Sequence, residues 1–427
     1  MSLPPVKRKE PSPPAVERPA VEIAIEHDNR SEITFDATNG DTDTMFADRV
    51  AQAVLSRWER LAKSGKPVVR GNKKVEWTVL AGIVLVRGYG VLDVDALDVT
   101  CVALGTGLKC LSHSQMPADG SAVIDCHAEV MARRCFQRYL YREVERAAQG
   151  QSTVLRRNKT QSGSLDTPTM VLASKDISFH LYVSQAPCGD ASTEALARIQ
   201  SEESRAAFQR GKRRRVGGLT EQDSQSELIS GPISSSSKLG CGEEPSARRG
   251  RHDFGQVGVL RTKPGRLDSE PTICMSCSDK LARWHILGLQ GSLLARFLPP
   301  IRLQTLVVGE LFDAVALRRA LVKRVQSIEV DDWLRDSGYN AEHAVEFLHT
   351  RESFAWSQMG VKKRHADLAP LPSGNGMDKA EVLAKGRKQG ATRNSSGEFP
   401  ANTRSSISKQ RLYATFLAVQ RAMHGTR

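Results

Sequence analysis

Long apolar runs are missing from this sequence. Hydrophobic residues make up 40% of its 427 positions, yet no uninterrupted apolar stretch reaches the roughly 18 residues that a membrane-spanning helix requires. The first residues, MSLPPVKRKEPSPP, contain no apolar core of the kind found in secretory signals. The sequence therefore predicts neither a membrane span nor a secretory signal.

Acidic residues are also in short supply relative to basic ones. The chain has 48 Asp and Glu against 61 Lys and Arg, which gives a net charge of +13. Phosphates attract such a charge at long range, so the balance favours a polyanionic partner, although basic tails alone could produce it.

Cysteine is too sparse for a disulfide framework in a chain of this length. The eight cysteines are expected to be reduced thiols or metal ligands, as in a cytosolic or nuclear protein. We therefore expect the protein in the nucleus, the cytoplasm or both.

Large apolar and aromatic side chains are scarce in two segments. Residues 1–42 are rich in proline and charge, and residues at about 199–256 contain GKRRRVGG and a serine-rich stretch. We expect a disordered N-terminal tail over 1–42 and a largely disordered insertion at about 199–256. The remainder of 43–427 should form a single domain. The basic runs at 7–9 and 211–216 could be nuclear import signals, RNA contacts or solvated linker charge.

Outside these segments, apolar strands alternate with amphipathic helices. The alternation in ISFHLYVS (177–184) predicts a half-exposed strand. This order of elements predicts an α/β layered core. The other strands are expected at 77–86, 97–104, 301–309 and, shorter, 381–384, and the helices at 46–62, after His127, after Pro187, and at 279–297, 314–325 and 408–423.

The stretch IDCHAEVMARRC (124–135) places a histidine and a glutamate at the predicted start of a helix. Taken alone, His127 is more simply a hydrogen-bonding residue at a helix N-terminus. Glu129 alone is typical of a first helical turn, where acidic residues are favoured. Neither residue by itself indicates a metal site.

Two further motifs put cysteines at predicted helix N-termini. Cys188 follows a proline in QAPCGDAS, and Cys274 and Cys277 form a C-x-x-C pair in ICMSCSDKLARW, with Ser278 or Asp279 as the expected cap. A helix N-terminus favours a thiolate, which is the form that binds metal. Alone, Cys188 could be a buried structural cysteine, and the pair could be a redox motif or half of a zinc finger.

Taken together, the motifs indicate a nucleobase deaminase. In that class H-x-E supplies a zinc ligand and a proton shuttle, and P-C supplies a thiolate. The usual P-C-x-x-C is absent, because Ala191 stands where the second cysteine would be. The third ligand must then come from far along the chain, and Cys274 and Cys277 lie in the only later segment that is both cysteine-bearing and predicted to be folded.

The motifs DCHAEVMARR, PCGDAS and MSCSDKLARWHILGLQGSLL, in this order, resemble the catalytic domain of the adenosine-to-inosine RNA deaminases. The resemblance covers roughly 46–200 and 255–420. It is closer to the tRNA-specific branch than to the double-stranded-RNA editing branch, because RTKPGR (261–266) is short where the editing enzymes carry a longer base-flipping loop. It implies an α/β, cytidine-deaminase-like layered core, with a mixed central sheet flanked by helices and a C-terminal helical extension.

The resemblance also implies a reaction and its residues. By position, His127, Cys188 and Cys277 match the zinc ligands, and Glu129 matches the proton shuttle. The implied reaction is attack of zinc-bound hydroxide on C6 of a flipped adenosine in tRNA, next to the anticodon and in alanine tRNA, to give inosine. Lys109 matches a lysine that contacts the phosphate near the target nucleotide.

A second implied cofactor is a buried inositol hexakisphosphate, which requires a cage of basic side chains. A polar relay joining this ligand to the zinc site is matched by Asp125, Lys263 and Lys280. The sequence departs from the family pattern at His285 and Ile124, and family members carry a further basic helical segment after RLYATFLAVQRAMHG. The cage positions are matched by Arg133, Arg134, Lys280, Arg283 and Lys409.

Several hypotheses stay open beside the tRNA deaminase. They are an inactive RNA-binding pseudo-deaminase, a closed structural zinc site with Cys274 as fourth ligand, and a cytidine deaminase. Retention of Glu129 favours an active enzyme, because an inactive relative need not keep it. The expected partner is tRNA, with no obligate protein partner, so we expect a monomer.

Overall fold

The fold was analysed in a computed structural model. It describes residues 37–69, 75–90, 93–158, 169–199, 247–249, 255–263, 270, 272–326, 328, 331, 335, 338–339, 343–360 and 380–424. Most of the expected tail and most of the expected insertion lie outside the described residues. Among those that are described, no helix is both long and apolar enough to cross a membrane.

The described elements include eight α-helices and thirteen strands, besides three short 3₁₀ helices and a π-helix at Arg319–Lys323. The helices are α1 (Ala37–Arg60), α2 (Ala128–Ala148), α3 (Asp190–Ile199), α4 (Cys277–Leu287), α5 (Gly291–Leu294), α6 (Ala314–Arg318), α7 (Arg324–Gln326) and α8 (Lys409–His424). The strands are β1 (Leu80–Arg87), β2 (Asp98–Thr106), β3 (Leu108–Cys110), β4 (Asp125–His127), β5 (Leu155–Arg157), β6 (Met170–Leu172), β7 (Ile177–Gln185), β8 (Ala247–Arg249), β9 (Leu260–Thr262), β10 (Thr305–Glu310), β11 (Glu346–His349), β12 (Leu383–Ala384) and β13 (Arg387–Lys388).

Five strands form a mixed central sheet in the order β11–β10–β7–β1–β2. Strand β1 is antiparallel to β2 and β7, whereas β10 is parallel to β7 and β11. Side chains of β1 alternate between two hydrophobic clusters: Ile83 packs in the cluster that contains α2, and Val84 packs in the cluster that contains α1. The prediction of an α/β core with a mixed, helix-flanked sheet is therefore confirmed.

The expected half-exposure of β7 is wrong, because eight of its nine residues are buried. The polar residues of the strand face a helix instead of water. His180 contacts the ring of Phe46 in α1 at a centroid distance of 5.0 Å, and it hydrogen-bonds Ser178 and Thr305. An alternating pattern indicates that the two faces of a strand have different surroundings. In β7 both faces lie in the interior.

Helix α1 begins earlier than the sequence pattern indicated. It starts at Ala37, inside the segment expected to be a disordered tail, whereas its buried apolar face begins at Phe46. Extending an existing helix costs much less than nucleating one. Polar, exposed residues before Phe46 can therefore continue a helix that packing anchors further along.

Lowering the pH is expected to destabilise the fold through His180. The residue is fully buried, and burial lowers its pKa to about 3. An unfolded histidine titrates near about pH 6.5, so below that value the unfolded state binds a proton that the folded state does not. Between about pH 6.5 and 4.5 this should remove about 2 kcal/mol from the free energy of unfolding.

Urea denaturation of the wild type and of His180→Asn over that range measures the effect. The amide can still hydrogen-bond but does not titrate, so the variant should gain about 2 kcal/mol on the wild type as the pH falls. A difference between the two proteins that does not change with pH would contradict the assignment to His180.

Candidate active site

Strand β4 and helix α2 bring His127 and Glu129 to one place. β4 pairs with β3, which sets Leu108 opposite His127. His127 is the N-cap residue of α2, and its backbone is still extended, with φ −74° and ψ 147°. Glu129 follows in the first helical turn and is buried, with 4% of its surface exposed. The chain therefore changes from strand to helix between the two side chains.

Cys188 and Cys277 meet across two helix N-termini. Cys188 lies between β7 and α3, and Cys277 is the first residue of α4. The backbone N–H of Cys277 donates to the Sγ atom of Cys188 over 3.4 Å, and the backbone N–H of Ser278 donates to the carbonyl of Cys188 over 3.0 Å. The cap of α4 is Ser276, whose side chain accepts from the N–H of Asp279, so the expectation of Ser278 or Asp279 is wrong.

The four predicted side chains form one buried group. His127 and Cys188 are hydrogen-bonded through their side chains. The Cys277 thiol lies 3.2 Å from the Oε2 atom of Glu129. Three segments that are far apart in the sequence thus place one imidazole and two thiols beside a single carboxyl group.

Their charges are strongly coupled. The pKa of Glu129 is raised by burial and by the charge of Cys188. A hydrogen bond from Cys277 lowers the pKa of Cys188, against the effect of burial, while burial and Cys188 hold the pKa of Cys277 well above its usual value. Burial alone would lower the pKa of His127, but hydrogen bonds with Asp125 and Cys188 raise it to about 9.

A buried carboxylate, Asp125, joins this group to two lysines. Its Oδ1 atom accepts from the Nδ1–H of His127 at 2.8 Å, and its Oδ2 atom accepts from Lys263 at 2.7 Å and from Lys280. Burial would raise the pKa of Asp125, but His127 and the two ammonium groups hold it well below its usual range. Because Nδ1 is directed at Asp125, Nε2 is the atom of His127 that would bind a metal, once it has lost its proton.

The donor chemistry of the site suits zinc. One imidazole and two thiols, with a carboxylate behind the imidazole, are the ligands that catalytic zinc takes when one position is left for water. In the described part of the chain, however, no three His, Cys, Asp or Glu side chains are already arranged to hold a metal. Cys277 is instead engaged by Glu129 and by Lys263, whose Nζ lies 3.2 Å away. Zinc binding to the Cys277 thiol would replace its contacts with Glu129 and Lys263.

Cys274 stands apart from the group. Its backbone N–H donates to Thr272 over 2.9 Å, and its thiol is hydrogen-bonded to Cys110. Within the described residues it therefore contacts a neighbouring loop and β3, not His127 or Cys188. This placement disfavours a closed site that uses Cys274 as its fourth ligand.

Arginines on α2 form a second, basic group behind the site. Arg133 stacks on the ring of Trp284 at 4.7 Å, and its Nε atom is buried with no partner among the described residues. Burial, together with Arg134 and Arg283, lowers its pKa to about 9. Arg134 donates to the carbonyl of Ile407 over 2.7 Å.

Three of the remaining predicted residues lie at the protein surface. Arg283, Lys409 and Lys109 have exposed side chains, the last of them on β3 opposite Cys126. Lys280 is partly buried and directed to Asp125. Ser278 was predicted only as a helix cap, but its Oγ atom donates to the carbonyl of Cys188 and accepts from the N–H of Ala191. The S-C-S-D pattern was the available signal.

Gly105→Ala is expected to displace the helix that carries Glu129. A Cβ at Gly105 would lie 2.5 Å from the backbone nitrogen of Ala132 and 2.5 Å from the Cβ of Met131. Such overpacking costs about 1–3 kcal/mol. Gly40→Ala is the matched control, because nothing lies within 4 Å of that Cβ, and it should stabilise α1 by about 0.5–1 kcal/mol. Urea denaturation compares the two; equal effects would contradict the prediction.

Residues 103–427 match the adenosine-deaminase (editase) domain family. The chain belongs to this family. It is 30% identical to tRNA-specific adenosine deaminase 1 of Macaca fascicularis over 84% of this chain and 85% of that protein. It is 32% identical to tRNA-specific adenosine deaminase 1 of Schizosaccharomyces pombe over 82% of this chain and 80% of that protein.

The double-stranded-RNA editing deaminases are also similar to this chain, but the match covers a smaller share of both proteins. Identity to Double-stranded RNA-specific editase B2 of Mus musculus is 31% over 66% of this chain and 33% of that protein. These similarities confirm the predicted family and the prediction that the protein is a deaminase enzyme.

Proposed function

We propose that this protein hydrolyses adenosine to inosine in tRNA. The observation that carries the proposal is the meeting of His127, Cys188 and Cys277 around the buried carboxyl group of Glu129, in a chain of the adenosine-deaminase family. The substrate follows from the relatives named as tRNA-specific, which match over most of both chains.

Zinc would be held by His127, Cys188 and Cys277, and when bound it supplies a Lewis acid that lowers the pKa of water. Side chains of the protein orient the zinc ligand His127 and transfer protons. Asp125 holds the proton of His127 on Nδ1. Glu129 takes a proton from the attacking water and delivers it to N1 of the adenine. It then takes the proton of the new C6 hydroxyl group and delivers it to the departing amino group, which leaves as ammonia. Its raised pKa suits a carboxyl group that both accepts and releases a proton.

We also propose that inositol hexakisphosphate binds at Arg133 and Arg134, with Lys280, Arg283 and Lys409 as further contacts. Supporting this, Arg133 has a buried nitrogen with no partner among the described residues, and burial, followed by Arg134 and Arg283, lowers its pKa. A cluster of buried guanidinium groups is costly unless an anion neutralises it. The polyanion would stabilise α2 and, through Lys280 and Asp125, the strand that carries His127.

The finer substrate assignment is adenosine next to the anticodon, in alanine tRNA. Lys109 would then contact a phosphate near the flipped nucleotide, because its exposed side chain projects from β3, which pairs with the strand that carries His127.

The test is nucleoside mass spectrometry on transcribed tRNA after incubation with protein from a eukaryotic host that supplies inositol hexakisphosphate. Duplex RNA and free adenosine are the matched substrates. Inosine in tRNA only, at one mapped adenosine, is expected. Inosine in the duplex only would overturn the tRNA assignment, and no inosine from folded, zinc-loaded protein would favour the RNA-binding pseudo-deaminase.

A further inference from the structure

A second set of arginines lies away from the catalytic group, on the hairpin formed by β12 and β13 and on the loop that follows it. Arg387 and Arg393 both stack on one ring, that of Phe399, with guanidinium carbons 4.2 Å and 4.6 Å from its centroid. Burial lowers the pKa of Arg387; the charge of Asp119 opposes this, and Arg404 and Arg393 add smaller lowering effects. We call Arg387, Arg393 and Arg404 the hairpin arginines.

These arginines have donors that the described residues do not satisfy. The Nη1 atom of Arg387 and the Nε atom of Arg404 are both buried without a hydrogen-bond partner. Within the described part of the chain, none of the three forms an ion pair with a carboxylate. Asp119 is near, but its carboxylate accepts from the backbone and side chain of Ser121. Unsatisfied buried donors are costly, so such a site favours an added anionic acceptor.

The hairpin is fixed to the segment that leads to His127. The Nη2 atom of Arg387 donates to the Oγ atom of Ser121 over 2.7 Å, and the N–H of Val123 donates to the carbonyl of Gly386 over 2.8 Å. A Cβ at Gly386 would lie 2.3 Å from the carbonyl oxygen of Val123, so this close approach requires glycine. His127 is six positions after Ser121, which limits their Cα distance to about 20 Å.

We propose that the hairpin arginines bind backbone phosphates of the RNA substrate, at a distance from the reacting nucleotide. Guanidinium groups match phosphate oxygens with paired N–H donors, and stacking on Phe399 orients two of them before RNA arrives. Phosphate contacts position an RNA without reading its sequence. The site therefore fixes where the substrate lies relative to His127. This inference rests on the proposed function, which supplies the RNA.

The experiment measures tRNA affinity against salt concentration for the full-length protein. The double variant R393Q/R404Q should bind tRNA about tenfold more weakly at physiological salt, and the slope of log affinity against log salt should fall by about 2. Arg421→Gln is the matched control, because Arg421 is exposed on α8 and hydrogen-bonds its own helix. It should leave affinity, slope and inosine formation unchanged.

Three further readouts separate the outcomes. Thermal unfolding without RNA should be the same for the double variant and the wild type; if it is not, Arg393→Gln alone, at an exposed position, should still lower the slope by about 1. The content of bound inositol phosphate should not change, and its loss would overturn the assignment to RNA. Unchanged tRNA affinity, or an equal loss with Arg421→Gln, would also overturn it. Absence of inosine from the wild type with intact salt-dependent binding would count against the proposed function only.

Discussion

Glu129→Gln is expected to abolish inosine formation, with a fall in kcat of at least about 10³-fold. The glutamine amide occupies the same space but cannot accept and return a proton. Glu129 is 4% exposed and lies 3.2 Å from the Cys277 thiol, so water cannot easily replace it as the shuttle. Nucleoside mass spectrometry under single-turnover conditions measures the loss.

The controls separate chemistry from folding. Glu143→Gln is matched, because Glu143 is 5% exposed on the same helix but hydrogen-bonds Ser152 and Arg146 at its far end. It should retain activity. In Glu129→Gln, zinc content and tRNA affinity should stay within about twofold of the wild type, since the proposed role is proton transfer. Loss of zinc in this variant would mean that Glu129 is a ligand, contrary to the mechanism.

The site was predictable from sequence because its residues sit at element boundaries that leave local signals. His127 and Glu129 open α2, and Cys277 opens α4, as the motifs indicated. Local sequence patterns could not predict that these residues contact one another. The hydrogen bond from Cys277 to Cys188 joins residues 89 apart, and only resemblance to a family linked them.

The elements that were missed are short or depend on tertiary contacts. Strands β3 and β4 have three residues each, too few for an alternating pattern to be recognised, yet they place Asp125 and Lys109. Arg261 is only 1% exposed, although arginine side chains are mostly found at the surface. Its burial depends on partners such as the carbonyl of Gln256, which no periodicity reveals.

Asp125→Asn is expected to lower the free energy of unfolding by about 3–5 kcal/mol, the usual effect of removing one partner from a buried ion pair. The carboxylate has 4% of its side chain exposed, and it accepts from Lys263, which is 3% exposed. Without that charge, two ammonium groups remain with no counterion at this position. The variant should also bind zinc about 10–100-fold more weakly, because the acceptor for the His127 Nδ1–H loses its negative charge.

Urea denaturation of chelator-treated and zinc-loaded protein separates these two effects. In chelator-treated protein the loss reports the ion cluster alone, and in zinc-loaded protein it should be larger, since weaker metal binding adds to it. Asp95→Asn is the matched control: Asp95 pairs with Arg49, but its side chain is 80% exposed, so the loss should stay below about 1 kcal/mol.

Adding Lys263→Met to Asp125→Asn tests the electrostatic origin of the loss. Removing the ammonium group together with the carboxylate should recover part of the stability, because the unpaired buried charge is the main cost. Zinc affinity should not recover, since His127 still lacks a charged acceptor. If the double variant is no more stable than Asp125→Asn, the loss comes from packing around Asp125 and the relay does not hold the site through charge.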